Sequence, residues 1–359
     1  MRMIISAGGT GGHIYPALAI IKKFQEKEKN FDVIYIGTHN RMEKDIVPEA
    51  GYKYVPIEIY GFSKTNMVRN VKNVYLINKA KKKCLEIIKE FKPDIVIGVG
   101  GYVTYPVIWA AKKLGVKTFI HEQNSIPGKA NKLIAKGVDL VGISFSNSKQ
   151  YFRNAKKVIY TGNPCGSNAL TIPKISKTEF GVKKDSKTIL IAAGSLGSGS
   201  LNEILKVFLC LVGDDPYEFI YVTGKAHYDE FMANSDFPKN VHIVPYIDNM
   251  AGLMKDIDLM ISRAGASTIS EILALKVPSI MIPSPNVANN HQYYNALDLS
   301  NLKVSILMEE KELNPEKLLI EYRDVMQNKI KDLKKNLDKV NKESSGDIIY
   351  KSIKEIIWN

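Results

Sequence analysis

The sequence predicts an α/β protein made of two Rossmann-like domains, each built on a doubly wound parallel sheet. Strand-like segments alternate with amphipathic helical segments, which is the pattern of βαβ units. A strand, a glycine-rich turn and a helix open the chain, and the same arrangement recurs near Lys187, about 185 residues later. The length of 359 residues also exceeds one typical domain core, so two domains are expected.

The first half contains strand candidates separated by helical segments. Amphipathic helices are predicted at 17–29 and 79–91. The strand candidates are short runs rich in β-branched residues, at 3–7, 32–36, 94–99, 117–120 and 140–143. This order predicts a parallel sheet whose strands are joined by helices.

The second half repeats this plan. The segment TILIAAGSLGSGSLNEIL, which starts at Thr188, is typical of a strand, a glycine turn and a helix. A helix is predicted at 293–299, and further strand candidates lie at 218–223, 241–244, 259–262 and 279–282. The second half therefore predicts a second sheet of the same kind.

The domain boundary is placed after Gly162-Asn163-Pro164, where the pattern is interrupted. We predict domains at 1–163 and 164–343, with the amphipathic segment 344–358 packing back on the first domain. The two domains are expected to face each other across a cleft formed by the carboxyl ends of both sheets, the edge where such sheets bind ligands.

Composition excludes several classes of protein. Cys84, Cys165 and Cys210 lie far apart without metal-ligand spacing, so they indicate a reducing compartment and neither a disulfide framework nor a zinc site. The N-terminal residues do not form a signal-peptide pattern, and no run of about 18 apolar residues occurs. We therefore expect a cytoplasmic protein.

The net charge of +13 is unevenly distributed. Residues 1–163 carry 27 Lys and Arg against 12 Asp and Glu, whereas residues 164–359 carry 23 against 25. A basic first domain predicts nucleic acid, an anionic membrane surface or a polyphosphate substrate as partner. A solvated lysine-rich surface without a partner is the alternative.

Two glycine loops are candidate phosphate-binding elements. The first is GGTGGH at 8–13, and the second is GSLGS at 194–198, where the Ser195 hydroxyl could also contact a phosphate. A nicotinamide dinucleotide site would need an acidic residue at the end of the second strand, which instead ends in Ile36-Gly37-Thr38. The GxxxxGK[ST] phosphate loop is also missing, and a tight turn without a ligand is the alternative.

Polar clusters follow several of the predicted strands. The first domain has GGYVTYP at 100–106 and HEQN at 121–124, the latter lacking the second histidine of a HExxH zinc site. The second domain has RAGASTISE at 263–271, in which Glu271 suits a ribose diol, and NNHQ at 289–292. Such side chains can bind sugar hydroxyls, although an exposed polar turn and a helix-dipole acid are the alternatives.

Together these motifs resemble the MurG family of bacterial peptidoglycan glycosyltransferases. The blocks GGTGGH, GGYVTYP, HEQNSIPGKANK, TGNP, GSLGS, YIDNM, RAGASTISE and NHQYYNA occur in the family's order, between residue 8 and about residue 297. The resemblance implies a GT-B fold and a hexosyltransferase that moves N-acetylglucosamine from UDP-GlcNAc to the C4 hydroxyl of the muramyl sugar of lipid I. The product would be lipid II, a precursor for the cell wall and hence for cell shape and division.

The resemblance also implies a donor site, mostly in the second domain. Ile247 would bind uracil through its backbone, Glu271 the ribose and Ser195 the diphosphate. Gln292 and Asn124 would hold the hydroxyls of the transferred sugar. The nucleotide and sugar would be wrapped by Ala266, Ser267, Thr268, Ile269, Ser270 and Glu271.

The acceptor side would belong to the first domain, where Thr10, Gly11 and Gly12 would lie beside the diphosphate and the acceptor. Inverting transfer needs a base for the attacking hydroxyl, for which His13 is our candidate and Glu122 the second choice, while a structural His13 is the alternative. No DxD motif follows a strand, because Asp214-Asp215 precedes a proline in a loop. Helix N-termini and amides would then stabilise the leaving group without an obligatory metal or cofactor.

The basic first domain fits a membrane-bound lipid acceptor. The stretch 61–83 mixes apolar residues (Phe62, Met67, Val68, Tyr75 and Leu76) with basic ones (Lys64, Arg69, Lys72 and Lys79–Lys83). We expect it to bind anionic inner-leaflet lipid, which makes the protein peripheral at the cytoplasmic face of the membrane. Wall-synthesis proteins are candidate partners, and no nucleic-acid partner is expected.

Three places depart from the family pattern: Gly166 where an arginine is common, Ala193-Gly194-Ser195-Leu196-Gly197 where two leading glycines and a glutamine are frequent, and Tyr105 where a small residue is usual. Lower donor affinity or a reshaped site would follow from these changes. The alternatives are a UDP-GlcNAc 2-epimerase, another lipid glycosyltransferase, and a catalytically silent sugar-nucleotide-binding protein.

Overall fold

The computed structural model describes residues 1–62, 65, 67–193, 199–233, 236–340 and 343–358, with only the backbone of 67–69 and 200. The chain divides into two compact units. Unit 1 comprises Met1–Ser167 and Glu343–Asn359, and unit 2 comprises Asn168–Lys342.

Unit 1 contains a seven-stranded parallel sheet. Its strands are β1 (Arg2–Ala7), β2 (Asp32–Thr38), β3 (Lys53–Ile57), β4 (Ile95–Gly100), β5 (Thr118–Glu122), β6 (Leu140–Ile143) and β7 (Val158–Tyr160). They are arranged in the order β3-β2-β1-β4-β5-β6-β7. The order reverses between β1 and β4, the switch point at which open α/β sheets bind ligands.

Helices connect these strands, and a 3₁₀ helix at Ser146–Phe152 follows β6. The α-helices in this part of the chain are α1 (Gly11–Lys27), α2 (Glu43–Glu49), α3 (Met67–Phe91), α4 (Thr104–Lys113), α5 (Lys129–Ile134) and α6 (Pro164–Thr171). The last of them spans the boundary between the units.

Unit 2 contains a six-stranded parallel sheet in the order β10-β9-β8-β11-β12-β13. Its strands are β8 (Thr188–Ala192), β9 (Glu218–Val222), β10 (Val241–Val244), β11 (Leu259–Ser262), β12 (Ser279–Met281) and β13 (Ser305–Leu307). This is the strand order of a dinucleotide-binding Rossmann sheet, with its switch point between β8 and β11.

The helices of unit 2 are α7 (Gly199–Leu211), α8 (Tyr228–Met232), α9 (Met250–Leu253), α10 (Ala266–Leu275), α11 (His291–Asn301), α12 (Pro315–Asp324) and α13 (Ile330–Leu337). Short 3₁₀ helices lie at Lys177–Phe180, Met254–Asp256, Ala288–Asn290 and Glu310–Glu312, and Val325–Lys329 is π-helical. The chain ends its described part in α14 (Ser345–Trp358), which belongs to unit 1.

The sheet of unit 1 is covered on both faces. Ile4 packs into one core, whereas its neighbours Met3 and Ile5 pack into the other, because successive strand residues point to opposite faces. The second core includes Phe24 of α1, whose ring centroid lies 5.0 Å from that of Tyr350 in α14. Helix α14 therefore packs directly on α1.

The predicted fold class is confirmed, and several element boundaries are corrected. Helix α1 begins at Gly11 rather than residue 17, and α3 begins at Met67 rather than residue 79. Strands β3, β7 and β13 were not predicted. Pro164, expected to interrupt the pattern, is instead the first residue of α6, a position that suits its fixed φ and missing N–H.

Candidate functional site

The loop 8–13 lies at the switch point of the unit 1 sheet. The Gly8 N–H donates to the carbonyl of Gly100 at 3.2 Å, which ties the loop to the turn after β4. The N–H groups of His13 and Ile14 donate to the Thr10 carbonyl at 3.1 and 3.2 Å. The predicted residues Thr10, Gly11 and Gly12 therefore form the start of α1, where unpaired amides and the helix dipole favour an anion.

The imidazole ring of His13 forms a hydrogen bond with the backbone of its own loop. Its Nδ1 lies 3.0 Å from the carbonyl oxygen of Gly8. A carbonyl only accepts, so Nδ1 carries the proton and Nε2 carries the lone pair in the neutral ring. Nε2 of this tautomer can accept a proton, as a general base requires. The ring also lies close to Gly100, whose φ is +123°, because a Cβ added there would be 2.5 Å from Cδ2 of His13.

Glu122, the second candidate base, is buried at the end of β5. Its carboxylate accepts hydrogen bonds from the N–H groups of Asn124 at 3.0 Å and Gly128 at 3.2 Å, and from Nδ2 of Asn131 at 2.9 Å. Burial raises the pKa of Glu122, while these hydrogen bonds oppose the rise. Because its oxygens organise the 122–131 loop, Glu122 is a weaker candidate base than His13.

Two further residues of the HEQN block connect the carboxyl ends of the strands. The Nε2 of His121 donates to the Gly162 carbonyl at 2.9 Å, and the Gln123 side chain donates to Nδ1 of His121 at 2.9 Å and to the Val99 carbonyl at 2.8 Å. Burial lowers the pKa of His121 to about 4. His121 is therefore a neutral part of the scaffold. Only its position in the HEQN motif could have drawn attention to it from the sequence.

Glu43 was not predicted as a site residue. It is the first residue of α2, and its side chain is fully buried. Oε2 accepts the Gly9 N–H at 3.1 Å, while Oε1 accepts the N–H and the hydroxyl of Thr38 at 3.0 and 2.6 Å. Glu43 thus joins the glycine loop to the end of β2, a contact between distant positions that no local motif indicates.

In unit 2 the segment 266–271 forms the first half of α10, directly after Gly265. Burial raises the pKa of Glu271 to about 7. The Ser267 hydroxyl is buried and makes no hydrogen bond within the described residues, and Ser270 donates to the Ser267 carbonyl at 2.7 Å. The Thr268 side chain is half-buried. A polar, partly unsatisfied helix start is suited to a ligand.

Three predicted residues bury their side chains: Ile247 at 5% exposure, Ala266 at 9% and Ile269 at 1%. Their side chains belong to the core of unit 2, so any ligand contact would come from their backbones. This agrees with the backbone role that the resemblance implies for Ile247. Within the predicted segment 266–271, Ile269 would likewise contribute its backbone.

The turn before α10 is fixed by two side chains that were not predicted. The buried Arg263 guanidinium forms an ion pair with Glu310 and donates to the Ile282 carbonyl at 3.2 Å. Asn295 of α11 donates to the Ala264 carbonyl at 3.2 Å. These contacts connect the carboxyl ends of β11 and β12.

Gln292 lies at the start of α11. Its Oε1 accepts the Ser284 N–H at 2.9 Å, which orients the amide and directs its NH₂ group away from Ser284. The preceding Asn289 and Asn290 have φ of +56° and +49°, a left-handed conformation that recurs at ligand sites. The second glycine loop, with Ser195, lies outside the described residues.

The basic stretch 61–83 is mostly α3. Leu76 is buried at 3% exposure and packs in the core, which corrects its predicted place on the membrane surface. Lys81 is also engaged, with Nζ 4.9 Å from the ring centroid of Tyr105 and 4.7 Å from that of Trp109. Lys83 donates to the Pro56 carbonyl at 2.8 Å.

The outward-facing residues of α3 overlap in part with those predicted, because Lys72, Tyr75, Lys79 and Lys82 belong to both sets. Lys64 and the side chains of Met67, Val68 and Arg69 lie outside the described residues. We call the exposed residues between 71 and 82 the α3 outer face: Val71, Lys72, Val74, Tyr75, Asn78, Lys79 and Lys82. Its valines and tyrosine are 51–73% exposed.

The described ranges contain neither a membrane-spanning helix nor a metal-ligand cluster. No helix in them is long and apolar enough to cross a membrane. No group of three or more His, Cys, Asp and Glu side chains in the same ranges is arranged to hold a metal ion.

Both halves of the chain match models of one enzyme family. The glycosyltransferase family 28 N-terminal domain matches residues 3–143, and the C-terminal domain of the same family matches residues 188–351. The chain is 43% identical over 330 residues to the UDP-N-acetylglucosamine--N-acetylmuramyl-(pentapeptide) pyrophosphoryl-undecaprenol N-acetylglucosamine transferase of Halalkalibacterium halodurans. That alignment covers 91% of each chain.

Solved structures agree with the fold. The crystal structure of Acinetobacter baumannii MurG matches with a TM-score of 0.79 and 28% identity, covering 99% of both chains. The UDP-GlcNAc 2-epimerase of Neisseria meningitidis, bound to UDP-GlcNAc, matches with a TM-score of 0.66 and 14% identity, over 99% of this chain and 100% of the epimerase. The second likeness concerns the fold alone.

Proposed function

The chain belongs to glycosyltransferase family 28 and, within it, to the MurG family that its motifs resemble, and we propose that it transfers N-acetylglucosamine from UDP-GlcNAc to the C4 hydroxyl of the muramyl sugar of lipid I. The product is lipid II, which supplies peptidoglycan synthesis. The observation that carries this proposal is the 43% identity to the Halalkalibacterium halodurans transferase over 91% of both chains.

His13 acts as the general base in this proposal. It takes the proton from the acceptor hydroxyl as that oxygen attacks the anomeric carbon and UDP departs. The Nδ1 contact with the Gly8 carbonyl supports the role, because it leaves the lone pair on Nε2. Thr10, Gly11 and Gly12 at the start of α1 lie beside the acceptor diphosphate, where backbone amides stabilise negative charge.

Most of the residues that bind the donor belong to unit 2. Glu271 accepts the ribose hydroxyls and the backbone of Ile247 contacts uracil, while the helix start at 266–270 and Ser195 bind the diphosphate. Gln292 and Asn124 bind the sugar hydroxyls. The orientation of the Gln292 amide supports its part, because an Oε1 that accepts the Ser284 N–H leaves the NH₂ group to donate to a sugar oxygen.

The protein binds peripherally to the cytoplasmic face of the membrane, where its lipid acceptor is embedded. The α3 outer face supports this proposal, because it combines exposed Val71, Val74 and Tyr75 with exposed lysines. Apolar side chains that enter the interface and cations that attract anionic lipid act together in such sites.

One assay tests the function. The protein is incubated with radiolabelled UDP-GlcNAc and a lipid I analogue, and we expect labelled lipid II and UDP. Free epimerised sugar nucleotide would indicate the epimerase, transfer to another lipid would indicate a different glycosyltransferase, and donor binding without turnover would indicate a silent protein. His13→Gln, which can still donate to the Gly8 carbonyl but cannot act as a base, should bind donor and lose turnover.

A further inference from the structure

We propose that Glu43 is a positioning residue for the transfer reaction and acts on His13 through the peptide group between Gly8 and Gly9. The inference rests on the proposed function, in which His13 is the base. It assigns a role to a buried carboxylate that neither the motifs nor the family resemblance single out.

One peptide group connects the two side chains. Its carbonyl, which belongs to Gly8, accepts the Nδ1–H of His13 at 3.0 Å. Its N–H, which belongs to Gly9, donates to Oε2 of Glu43 at 3.1 Å. Carboxylate, peptide and imidazole therefore form a continuous chain of hydrogen bonds in which each bond polarises the next.

The Glu43 carboxylate is suited to supply charge to this chain. It is fully buried, and its second oxygen is fixed by the N–H and hydroxyl of Thr38. The titratable groups that face it are the phenols of Tyr35 and Tyr54. Burial, with the charge of Glu43, raises the pKa of both phenols, so they stay neutral at physiological pH.

The glycines of the two loops enclose this chain of hydrogen bonds. A Cβ on Gly8 would overlap Oε1 of Glu43, and a Cβ on Gly101 would overlap the Gly8 carbonyl oxygen. A Cβ on Gly100 would lie 2.5 Å from Cδ2 of His13. These three glycines, one from the predicted phosphate loop and two from the turn at 100–106, are thus required for the carboxylate, the peptide and the ring to approach each other.

The chemical consequence resembles that of the buried aspartate in a serine-protease triad, with a peptide group inserted between acid and imidazole. The acid fixes the tautomer and stabilises the imidazolium that forms when the base takes a proton. Here the peptide keeps its proton, and the proton from the acceptor hydroxyl goes to Nε2 of His13.

The first test measures the ring itself, without substrate. Imidazole nitrogens of ¹⁵N-histidine-labelled protein are followed by NMR between pH 5 and 9, with the His13 signals assigned by their loss in His13→Gln. We expect the Nδ1–H tautomer in the wild type. Glu43→Gln should lower the proton affinity of His13 by about tenfold, one pH unit in its titration midpoint. Glu43→Asp, which keeps the charge, should restore most of it.

Glu49→Gln is the matched control, because it removes the same charge from an exposed position of the same helix. It should titrate like the wild type. An Nε2–H tautomer in the wild type, or equal midpoints in Glu43→Gln and Glu49→Gln, would overturn the proposal. If Glu43→Gln does not fold, the wild-type tautomer still tests the proposal, because an Nε2–H tautomer would overturn it.

The second test measures turnover with UDP-GlcNAc and the lipid I analogue. We expect Glu43→Gln to lower kcat by about tenfold to a hundredfold, with the donor KM within about twofold, and to move the acidic limb of the kcat/KM profile to lower pH. In the His13→Gln background, Glu43→Gln should lower kcat only slightly further. Full turnover in His13→Gln would refute the base assignment alone, because the NMR midpoints still decide whether Glu43 acts on the ring.

Discussion

The imidazole of His13 lies against the backbone of Gly100, so closely that a methyl group on Gly100 would be 2.5 Å from Cδ2 of the ring. The position of the His13 ring therefore depends on a glycine at position 100, on the other side of the sheet's switch point. The contact explains why β4 ends in a glycine.

Gly100→Ala should displace the His13 ring and lower kcat by at least about tenfold, since small misplacements of a catalytic group are costly. Gly115→Ala is the matched control. Gly115 also has a positive φ, +69°, but an added Cβ would meet nothing within 4 Å. The Gly115→Ala variant should lose about 1 kcal/mol of unfolding free energy and keep the kcat of the wild type. Steady-state kinetics and thermal unfolding of both variants check this, and equal kcat values would contradict it.

Glu271 should make the ligand-free protein less stable as pH rises. Burial raises its pKa from 4.5 to about 7, so between these values the folded state binds more protons than the unfolded state. Stability therefore falls from pH 4.5 to pH 7, and Glu271→Gln should be more stable than the wild type at pH 8 by up to about 3 kcal/mol.

The difference should vanish near pH 4.5, and the variant should bind UDP-GlcNAc more weakly because its amide offers one acceptor oxygen to the ribose diol where the carboxylate offers two. Denaturant titrations at both pH values and calorimetric binding measure these effects. Glu203→Gln, at an exposed position of α7, should change neither quantity. Equal stability of wild type and Glu271→Gln at pH 8 would refute the stability prediction.

His121 should contribute to acid unfolding. Burial lowers its pKa from 6.5 to about 4, so below pH 6.5 the unfolded state binds the extra proton. Stability from this group is present above pH 6.5 and declines as pH falls to 4, by about 3 kcal/mol in total. The free energy of unfolding of His121→Gln should vary less over this range, and a parallel pH dependence in both proteins would argue against it.

Reversing the charge of the α3 outer face should weaken membrane binding. Each basic residue near an anionic surface contributes about 1 kcal/mol. The triple change Lys72→Glu, Lys79→Glu and Lys82→Glu should therefore weaken binding to phosphatidylglycerol vesicles by about a hundredfold or more in a sedimentation assay. The same change at Lys331, Lys334 and Lys335, exposed on α13 of unit 2, is the control and should have a small effect.

Substitutions at two adjacent residues of α3 should have different effects, one on stability and the other on membrane binding. Leu76 is 3% exposed, and Leu76→Ala should cost about 2–5 kcal/mol of unfolding free energy. Tyr75 is 68% exposed, and Tyr75→Ser should change stability by less than about 0.5 kcal/mol while weakening vesicle binding. Chemical denaturation and vesicle sedimentation distinguish the two, and a reversed pattern would place the wrong side of α3 at the membrane.

The strands that sequence reasoning found are mostly those inside the sheets, because buried parallel strands are continuous runs of Ile, Val and Leu. The three missed strands, β3, β7 and β13, all lie at sheet edges. Strand β3 contains Pro56, which argues against a central strand but is tolerated at an edge. Edge strands are less apolar, so composition alone separates them poorly from loops.

The candidate site was predictable where its residues lie in one motif, and not where they meet through the fold. Glu122 and Asn124 are neighbours in sequence and share a hydrogen bond. Glu43 contacts Gly9 across 34 positions, and no local spacing indicates such a pair. The start of α1 was misplaced because Gly11 and Gly12 disfavour a helix interior, although they are tolerated in its first turn.

The packing of α14 on α1 has a consequence for biosynthesis. Unit 1 needs both Met1–Ser167 and Glu343–Asn359, so its second core stays open while the ribosome translates all of unit 2. At 5–20 residues per second this interval lasts on the order of 10–40 seconds. During that time Phe24 lacks its contact with Tyr350, and we expect the nascent chain to expose apolar surface that chaperones can bind until α14 leaves the exit tunnel.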